Sequence, residues 1–353
     1  LVTLGPYISA FEHAAALCPY LVKGLSMVDR DAKLSELQNY ARIVETDFSR
    51  FDSTLNKFLM RSIEGTVFRS RFPPADFPDF DLALTYCETT TGNTLGGVRY
   101  NASGRCSGDA HTSIGNGLVN AFVTYLCQKN LPRDEWISFH EGDDGIIGVS
   151  SQHYHQLIAN LMLIGTLGFT VKVVLPASLD TAMFCGRSHY GTHTLTSMCD
   201  VRRTLLKFHI STSHLSPRRA VLAKALSYLA TDRNTPIIGP LCYSIVRVLK
   251  TSHADIRAFH RVKMSKYDRQ RVMDGLVSAE NLLHPSICPN SRNVLELKEH
   301  ISVTHQLAIE KEFYNWTVLG FIPCEVPRIE SHQDVDVCTD RSSYFGYSYP
   351  HFA

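Results

Sequence analysis

His140-Glu141-Gly142-Asp143-Asp144-Gly145 is the stretch on which the reading of this chain turns. Ile137 and Phe139 alternate with polar residues before it, and Ile146, Ile147 and Val149 follow it. That pattern predicts two short strands joined by a tight turn, with both aspartates at or beside the bend. A turn exposes its side chains, so the two acids can point at one spot, where they repel unless a cation sits between them. Taken alone, the hexapeptide also fits a surface Asp-Gly hairpin. The segments upstream bear on that choice.

Ala41 to Asp47 reads as a short strand ending on an acid, Phe48-Ser49-Arg50-Phe51 turns the chain, and Asp52-Ser53 caps a helix predicted to run to about Arg71. Pro73, Pro74 and Pro78 end it, and a hairpin through Gly96-Gly97 follows. Ser107-Gly108 forms a junction before a long helix, about Asp109 to Gln128, with Ile114, Leu118, Phe122 and Leu126 expected on its apolar face. Ser150 or Ser151 is expected to cap the next helix, which Gly168 stops, and Phe169 to Leu175 reads as a strand. From about residue 193 the pattern turns helical, with Ser216-Pro217 a strong start signal. If the strands carrying Asp47 and Asp143 are neighbours, three carboxylates (Asp47, Asp143, Asp144) meet at one sheet end. Such a set suits a pair of Mg²⁺ ions, which prefer oxygen ligands and bind together with substrate phosphates. A metal pair of this kind supports in-line phosphoryl displacement.

The remaining composition sets bounds. The chain has 353 residues, 44% hydrophobic and 20% charged, enough for a large core in two domains or in one body with subdomains. A net charge of +1 means that a polyanion partner would need a local basic cleft. Ten scattered cysteines, none in a Cys-x-x-Cys pair, read as mostly reduced thiols of a cytosolic protein. No apolar run reaches the length of a membrane span, and no signal peptide is visible. The opening at Leu1-Val2-Thr3, without Met, reads as a piece of a longer protein.

Three segments together carry a resemblance. Asp47-Phe48-Ser49-Arg50-Phe51-Asp52 places two aspartates with four residues between them. Ser107-Gly108-Asp109-Ala110-His111-Thr112-Ser113-Ile114-Gly115-Asn116 fits Ser-Gly-x-x-x-Thr-x-x-x-Asn, and Gly142-Asp143-Asp144 follows. In this order and spacing the chain resembles the RNA-dependent RNA polymerases of positive-strand RNA viruses, and in the detail Ser-Gly-Asp-x-x-Thr-Ser-x-Gly-Asn it is most similar to the tombusvirus- and nodavirus-like branch. Leu167 to Lys172 and Phe184-Cys185-Gly186 look like the fourth and fifth motifs. The resemblance covers roughly residues 40–190. It implies an α+β right-hand polymerase with an antiparallel palm sheet, partial fingers (1–40), a palm over 41–192 with a fingers segment inserted at about 72–102, and a mostly helical thumb with a C-terminal tail (193–353).

The resemblance also implies roles. Asp47 and Asp143 would be the main ligands of two Mg²⁺ ions, with Mn²⁺ as the alternative and Asp144 beside them. Asp52 and Asn116 would sense the ribose 2′-hydroxyl. Ser107, Gly108 and Thr112 would hold the template and nascent pair, and Lys172 would protonate the leaving pyrophosphate. Ordinary alternatives stand beside these roles: a helix cap for Asp52 and Ser107, a strand-end cap for Asp47, a solvated strand lysine for Lys172. The partners implied are an RNA template and product strand, NTPs, and other replicase segments or viral proteins. The location implied is the host cytoplasm, at membrane-associated replication complexes held by segments outside this chain. The basic fingers residues that grip a triphosphate find no match in residues 1–40 and are expected upstream, so this piece is expected to polymerise poorly by itself. The rivals are a reverse transcriptase, which would carry Tyr-x-Asp-Asp, and a catalytically incomplete RNA-binding or scaffold piece of a replicase.

Other groupings carry less. Cys185, His189, His193 and Cys199 fit none of the common zinc frameworks and read as packing and surface residues. Arg257, Arg261, Lys263, Lys266, Arg269 and Arg271 form a basic stretch that either follows product RNA or makes a solvated helix face. Tyr344, Phe345, Tyr347, Tyr349 and Phe352 make an aromatic tail, a stacking platform or a packed terminus.

Overall fold

Alternation along Arg42-Ile43-Val44-Glu45-Thr46-Asp47-Phe48-Ser49 builds the strand from which the rest of its sheet is laid out. Val44, Thr46 and Phe48 are buried on one face, while Asp47 and Ser49 stay exposed. The computed structural model describes residues 2–191, 194–211, 213–280 and 283–323, so His193 and the aromatic tail lie outside the described residues. The strands are β1 (Arg42–Ser49), β2 (Thr89–Asn93), β3 (Arg99–Ser103), β4 (Trp136–Glu141), β5 (Asp144–Val149), β6 (Thr170–Val174), β7 (Met183–Phe184), β8 (Arg187–Tyr190) and β9 (Thr196–Cys199). The architecture is mixed α and β with antiparallel sheets. By internal contacts the chain divides into two units, Leu1–Cys185 with Thr192–Thr196, and Gly186–Gly191 with Ser197–Ala353.

The first unit holds a four-stranded sheet in the order β4-β5-β1-β6. Its helices are α1 (Leu4–Ala15), α2 (Met27–Leu34), α3 (Phe51–Thr54), α4 (Lys57–Met60), α5 (Thr66–Arg71), α6 (Pro78–Tyr86), α7 (Thr112–Gln128) and α8 (Tyr154–Met162). One face of the sheet packs Val44, Phe48, Ile147 and Val149 against Val119 and Val123 of α7 and Leu157 and Leu161 of α8. The other face packs Ile43, Phe139 and Ile146 against Leu34, Leu37 and Phe184. The hairpin β2–β3 stands apart as a two-stranded sheet.

Three local expectations are corrected. The helix predicted from Asp52 to Arg71 is broken, because Leu55 is extended at ψ 105° and Asn56, not Asp52, caps the next turn by accepting from the Leu59 N–H at 3.0 Å. Ser53 and Thr54 favour that break by donating to the Arg50 and Phe51 carbonyls. The long helix starts at Thr112 rather than Asp109, and its expected apolar face is buried only in its first half, where Ile114 is in the core and Leu118 packs against it. Phe122 and Leu126 are exposed, while Asn116, Val119, Asn120, Val123, Thr124 and Gln128 face inward. Ser150 and Ser151 do not cap α8, whose N-cap is His153; the Ser150 hydroxyl lies 3.3 Å from His153 Nδ1.

The second unit is mainly helical: α9 (Val201–Phe208), α10 (Pro217–Asp232), α11 (Ile238–Leu249), α12 (His253–Arg261), α13 (Lys266–Glu280), α14 (Pro289–Glu299) and α15 (Val303–Tyr314). Its core is built from Leu222, Leu226, Leu229, Leu241, Ile245, Phe259 and Phe313. Helices α10 and α13 cross so closely that a Cβ on Gly275 would stand 1.9 Å from the Leu226 carbonyl oxygen. Asp232, fully buried, is held by Arg187 at 2.9 Å and by the Cys199 N–H at 2.8 Å. Among the described residues no helix is long and apolar enough to cross a membrane.

Candidate active site

The β4–β5 register pairs Glu141 with Asp144, which leaves Gly142-Asp143 as a two-residue loop. Gly142 sits at φ +61°, the left-handed region that a two-residue hairpin with glycine first requires. The loop is held from behind by a residue that sequence reasoning did not single out. Asn120, fully buried on α7, directs its amide Nδ2 at the carbonyls of Gly142, Asp143 and Asp144, at 3.3, 3.0 and 3.2 Å. Its spacing was the available signal: Asn116, Asn120, Thr124 and Gln128 recur every fourth position, so they form one stripe of α7. A buried polar stripe must find partners: the turn carbonyls serve Asn120, Asp52 serves Asn116, Asn120 Oδ1 serves Thr124 and the Leu157 carbonyl serves Gln128.

Asp47 reaches the same place by register. β1 pairs with β5 through Thr46 and Gly145, so one further step along the ladder brings Asp47 level with Asp144. On its other side Asp47 is the cross-strand partner of Lys172 on β6. Directly opposed residues share a face, so exposed Lys172 stands beside exposed Asp47. The acids lie close enough to act on one another's charge. Burial and the charges of Asp52 and Asp47 push the Asp143 carboxyl above its ordinary range. Burial, Asp143, Asp47 and Glu141 do the same for Asp144, against a hydrogen bond from the Cys185 thiol. Among the described residues no ion pair neutralises Asp47, Asp143 or Asp144.

Asp52 joins the first segment to the second. Arg50, at φ +56°, turns the chain between Phe48 and Phe51, whose rings pack edge-on at 4.9 Å and both meet Phe169. Each such contact contributes about 0.5–1.5 kcal/mol beyond burial, so the turn presenting Asp52 is firmly seated. The Asp52 carboxylate accepts from Asn116 Nδ2 at 2.7 Å and from the Ser107 hydroxyl. The loop carrying Ser107 includes Gly108 at φ +101°, and it meets α7 where the Thr112 hydroxyl donates to the Cys106 carbonyl at 3.3 Å. Asn116 keeps its Oδ1 buried and without a hydrogen bond. Asp47, Asp52, Asp143, Asp144, Lys172, Ser107, Gly108, Thr112 and Asn116 thus fall into two linked groups, the acids at the sheet end and the Asp52 hub.

The other sequence groupings do not add to this site. Cys185 lies beside Glu141 at 3.7 Å, His189 and Cys199 are buried in the second unit, and His193 is outside the described residues. The basic stretch is not one helix face: it breaks between α12 and α13, Arg269 donates to the Val262 carbonyl, and Arg271 donates to Thr231 at 2.9 Å. Arg257, Arg261 and Lys263, with His214 and Arg219, line a groove of ≈ 590 Å³ in the second unit.

A family model described as viral RNA-dependent RNA polymerase matches residues 2–194. The RNA-directed RNA polymerase of Pariacoto virus is 31% identical over 226 residues, covering 60% of this chain and 23% of that protein. That of striped jack nervous necrosis virus is 32% identical over 264 residues, 70% of this chain and 26% of that protein. That of Pothos latent virus is 24% identical over 289 residues, 78% of this chain and 36% of that protein. The chain therefore spans about a quarter of the length of the first two relatives.

Proposed function

This chain belongs to the family of viral RNA-dependent RNA polymerases, and from that premise we propose that it carries the catalytic centre of a protein that copies RNA from an RNA template. In this reading residues 41–192 are the palm of a right hand, with 1–40 and about 72–102 contributing to the fingers and 193–353 forming the thumb and tail. The observation that carries the proposal is the β1–β5 register, which draws the acid of the first motif to the turn bearing the acids of the third.

Asp47, Asp143 and Asp144 would hold two Mg²⁺ ions, or Mn²⁺. The donor set fits, being all carboxylate and partly open to solvent, with burial and neighbouring acid charges disfavouring the bare anions of Asp143 and Asp144, a cost that a bound cation relieves. When bound, such a pair stabilises the attacking and leaving oxygens of an in-line displacement. The chain's own groups do the rest. Asp52 and Asn116 would bond the ribose of the incoming nucleotide, and a site built to bond a hydroxyl rejects the analogue that lacks it. Ser107, tied to Asp52, would pass that contact to the loop that holds the template pair, together with Gly108 and Thr112. The primer 3′-hydroxyl oxygen bonds to the α-phosphorus, the bond to pyrophosphate breaks, the hydroxyl proton goes to solvent, and Lys172 gives a proton to the departing pyrophosphate. Template and product RNA, NTPs and other replicase proteins are the partners in this reading. The host cytoplasm is the site, with membrane attachment left to other parts of the replicase.

The test is incorporation of labelled nucleotide by the full-length protein on a primed RNA template with Mg²⁺. Template-dependent extension with NTPs in clear preference to dNTPs is expected. Equal use of dNTPs would favour a reverse transcriptase, and RNA binding without extension would favour a scaffold.

A further inference from the structure

A second set of ligand-type side chains lies in the first unit and is not used by the acid cluster. Cys87 follows the last turn of α6, while Asp109 and His111 lead into α7. One ligand atom from each lies within 4.8 Å of the others. The bond lengths of a tetrahedral thiolate, imidazole and carboxylate site put its ligand atoms about 3.5 Å apart, so a closure of about 1 Å completes the set.

A second observation points the same way. His111 is 1% exposed, its Nε2 stands 3.6 Å from Glu64 Oε1, and its Nδ1 is buried without a hydrogen-bond partner. A metal-bound histidine characteristically gives its other ring N–H to a carboxylate, which fixes the tautomer and frees the opposite nitrogen to ligate. Glu64 is itself fixed, since Arg105 grips it. Cys87, Glu64 and His111, though not Asp109, also line one small, partly open cavity of ≈ 10 Å³, with Glu88 and Met60. That is near the lower limit for a single water and fits a desolvated ion.

We propose that Cys87, Asp109 and His111 bind a zinc-type divalent cation, with Glu64 as the carboxylate that orients His111. A sulfur and an imidazole in the set select such a metal over Mg²⁺. On binding, the Cys87 thiol loses its proton to solvent, and thiolate and Asp109 carboxylate together balance the two positive charges. The bound ion would staple the end of α6 to the loop that carries Ser107 and Gly108.

The experiment adds Co²⁺ to the metal-stripped full-length protein in excess Mg²⁺, which keeps the carboxylate cluster filled. The proposal expects one equivalent to give a thiolate-to-metal charge-transfer band and strong tetrahedral visible bands, abolished by stoichiometric Zn²⁺. Cys87→Ser should lose the charge-transfer band, Cys106→Ser should keep it, and Glu64→Gln should weaken Zn²⁺ binding about 10- to 100-fold. In case a variant misfolds, alkylation of the wild-type protein gives the same answer: Zn²⁺ should protect Cys87 selectively, read by peptide mass spectrometry. Absence of a thiolate band in the wild type, its persistence in Cys87→Ser, or equal alkylation of Cys87 with and without Zn²⁺ would overturn the proposal.

Discussion

Asn120 fixes the Gly142-Asp143 turn with one amide shared among three carbonyls, so its effect should reach the chemistry more than the fold. Asn120→Ala removes the donor, but the turn carbonyls can turn to water, which limits the stability loss to about 1 kcal/mol. The acids would lose their fixed aim, and misplacement near 1 Å can cost about 100-fold in rate. The expected outcome is a kcat reduced at least tenfold with a nearly unchanged melting temperature and KM for NTP. An equal fall in stability and rate would make Asn120 a packing residue. Asn116 acts at the neighbouring hub, where its 2.7 Å bond to Asp52 sets both side chains. Asn116→Ala should narrow the NTP-over-dNTP preference about tenfold or more, as expected for a lost bond to a charged partner. A loss equal for both sugars, measured as kcat/KM with each, would remove Asn116 from sugar recognition.

At the level of elements, the sequence was most legible where one periodicity dominated. Strand β1, the hairpin β4–β5 and the Ser216-Pro217 start of α10 stand where alternation and capping put them. Helix α7 shows the limit. An apolar tally picks Ile114, Leu118, Phe122 and Leu126, of which Phe122 and Leu126 are exposed, while the stripe with Asn116, Asn120, Thr124 and Gln128 is buried because Asn116 meets Asp52, Asn120 the turn, Thr124 Asn120 and Gln128 α8. Polar burial depends on partners distant in sequence, which periodicity does not encode. The break at Leu55 has a different origin, in local side-chain bonds that outcompete a helix. The register that joins Asp47 to the turn was only a conditional in the sequence, since strand adjacency is a property of the sheet. In the second unit the α10–α13 crossing gives a direct test of packing. Gly275→Ala would drive a Cβ into the Leu226 carbonyl, and forcing the helices apart should cost about 1–3 kcal/mol in the urea-unfolding free energy. Gly5→Ala in α1, with open space at its Cβ, should be neutral or stabilising by up to about 1 kcal/mol. Similar effects of the two substitutions would contradict the close crossing.

For the whole molecule, buried His140 couples stability to pH. Burial holds its imidazole down at about 3, while the unfolded side chain titrates near about 6.5. Its contribution is therefore complete above about pH 6.5 and is lost as pH falls from there toward 3, because the unfolded chain takes up the proton first. Between pH 7 and pH 5 this one group should remove about 2 kcal/mol. His140→Gln should lower stability at pH 7 yet flatten that slope, measured by urea midpoints at the two pH values. An unchanged slope would mean that His140 is protonated in the fold. Acids from β1 and from the β4–β5 turn are proposed to act as one centre. The most direct measurement of that joint action is primer extension on an RNA template by the full-length protein and by its Asp143→Asn variant. Asp143 sits at the tip of the turn with much of its side chain open to solvent and only part of its carboxyl shielded, so the variant should melt like the wild type while extension falls more than about 100-fold. Extension within a few fold of wild type by the folded variant would contradict the account.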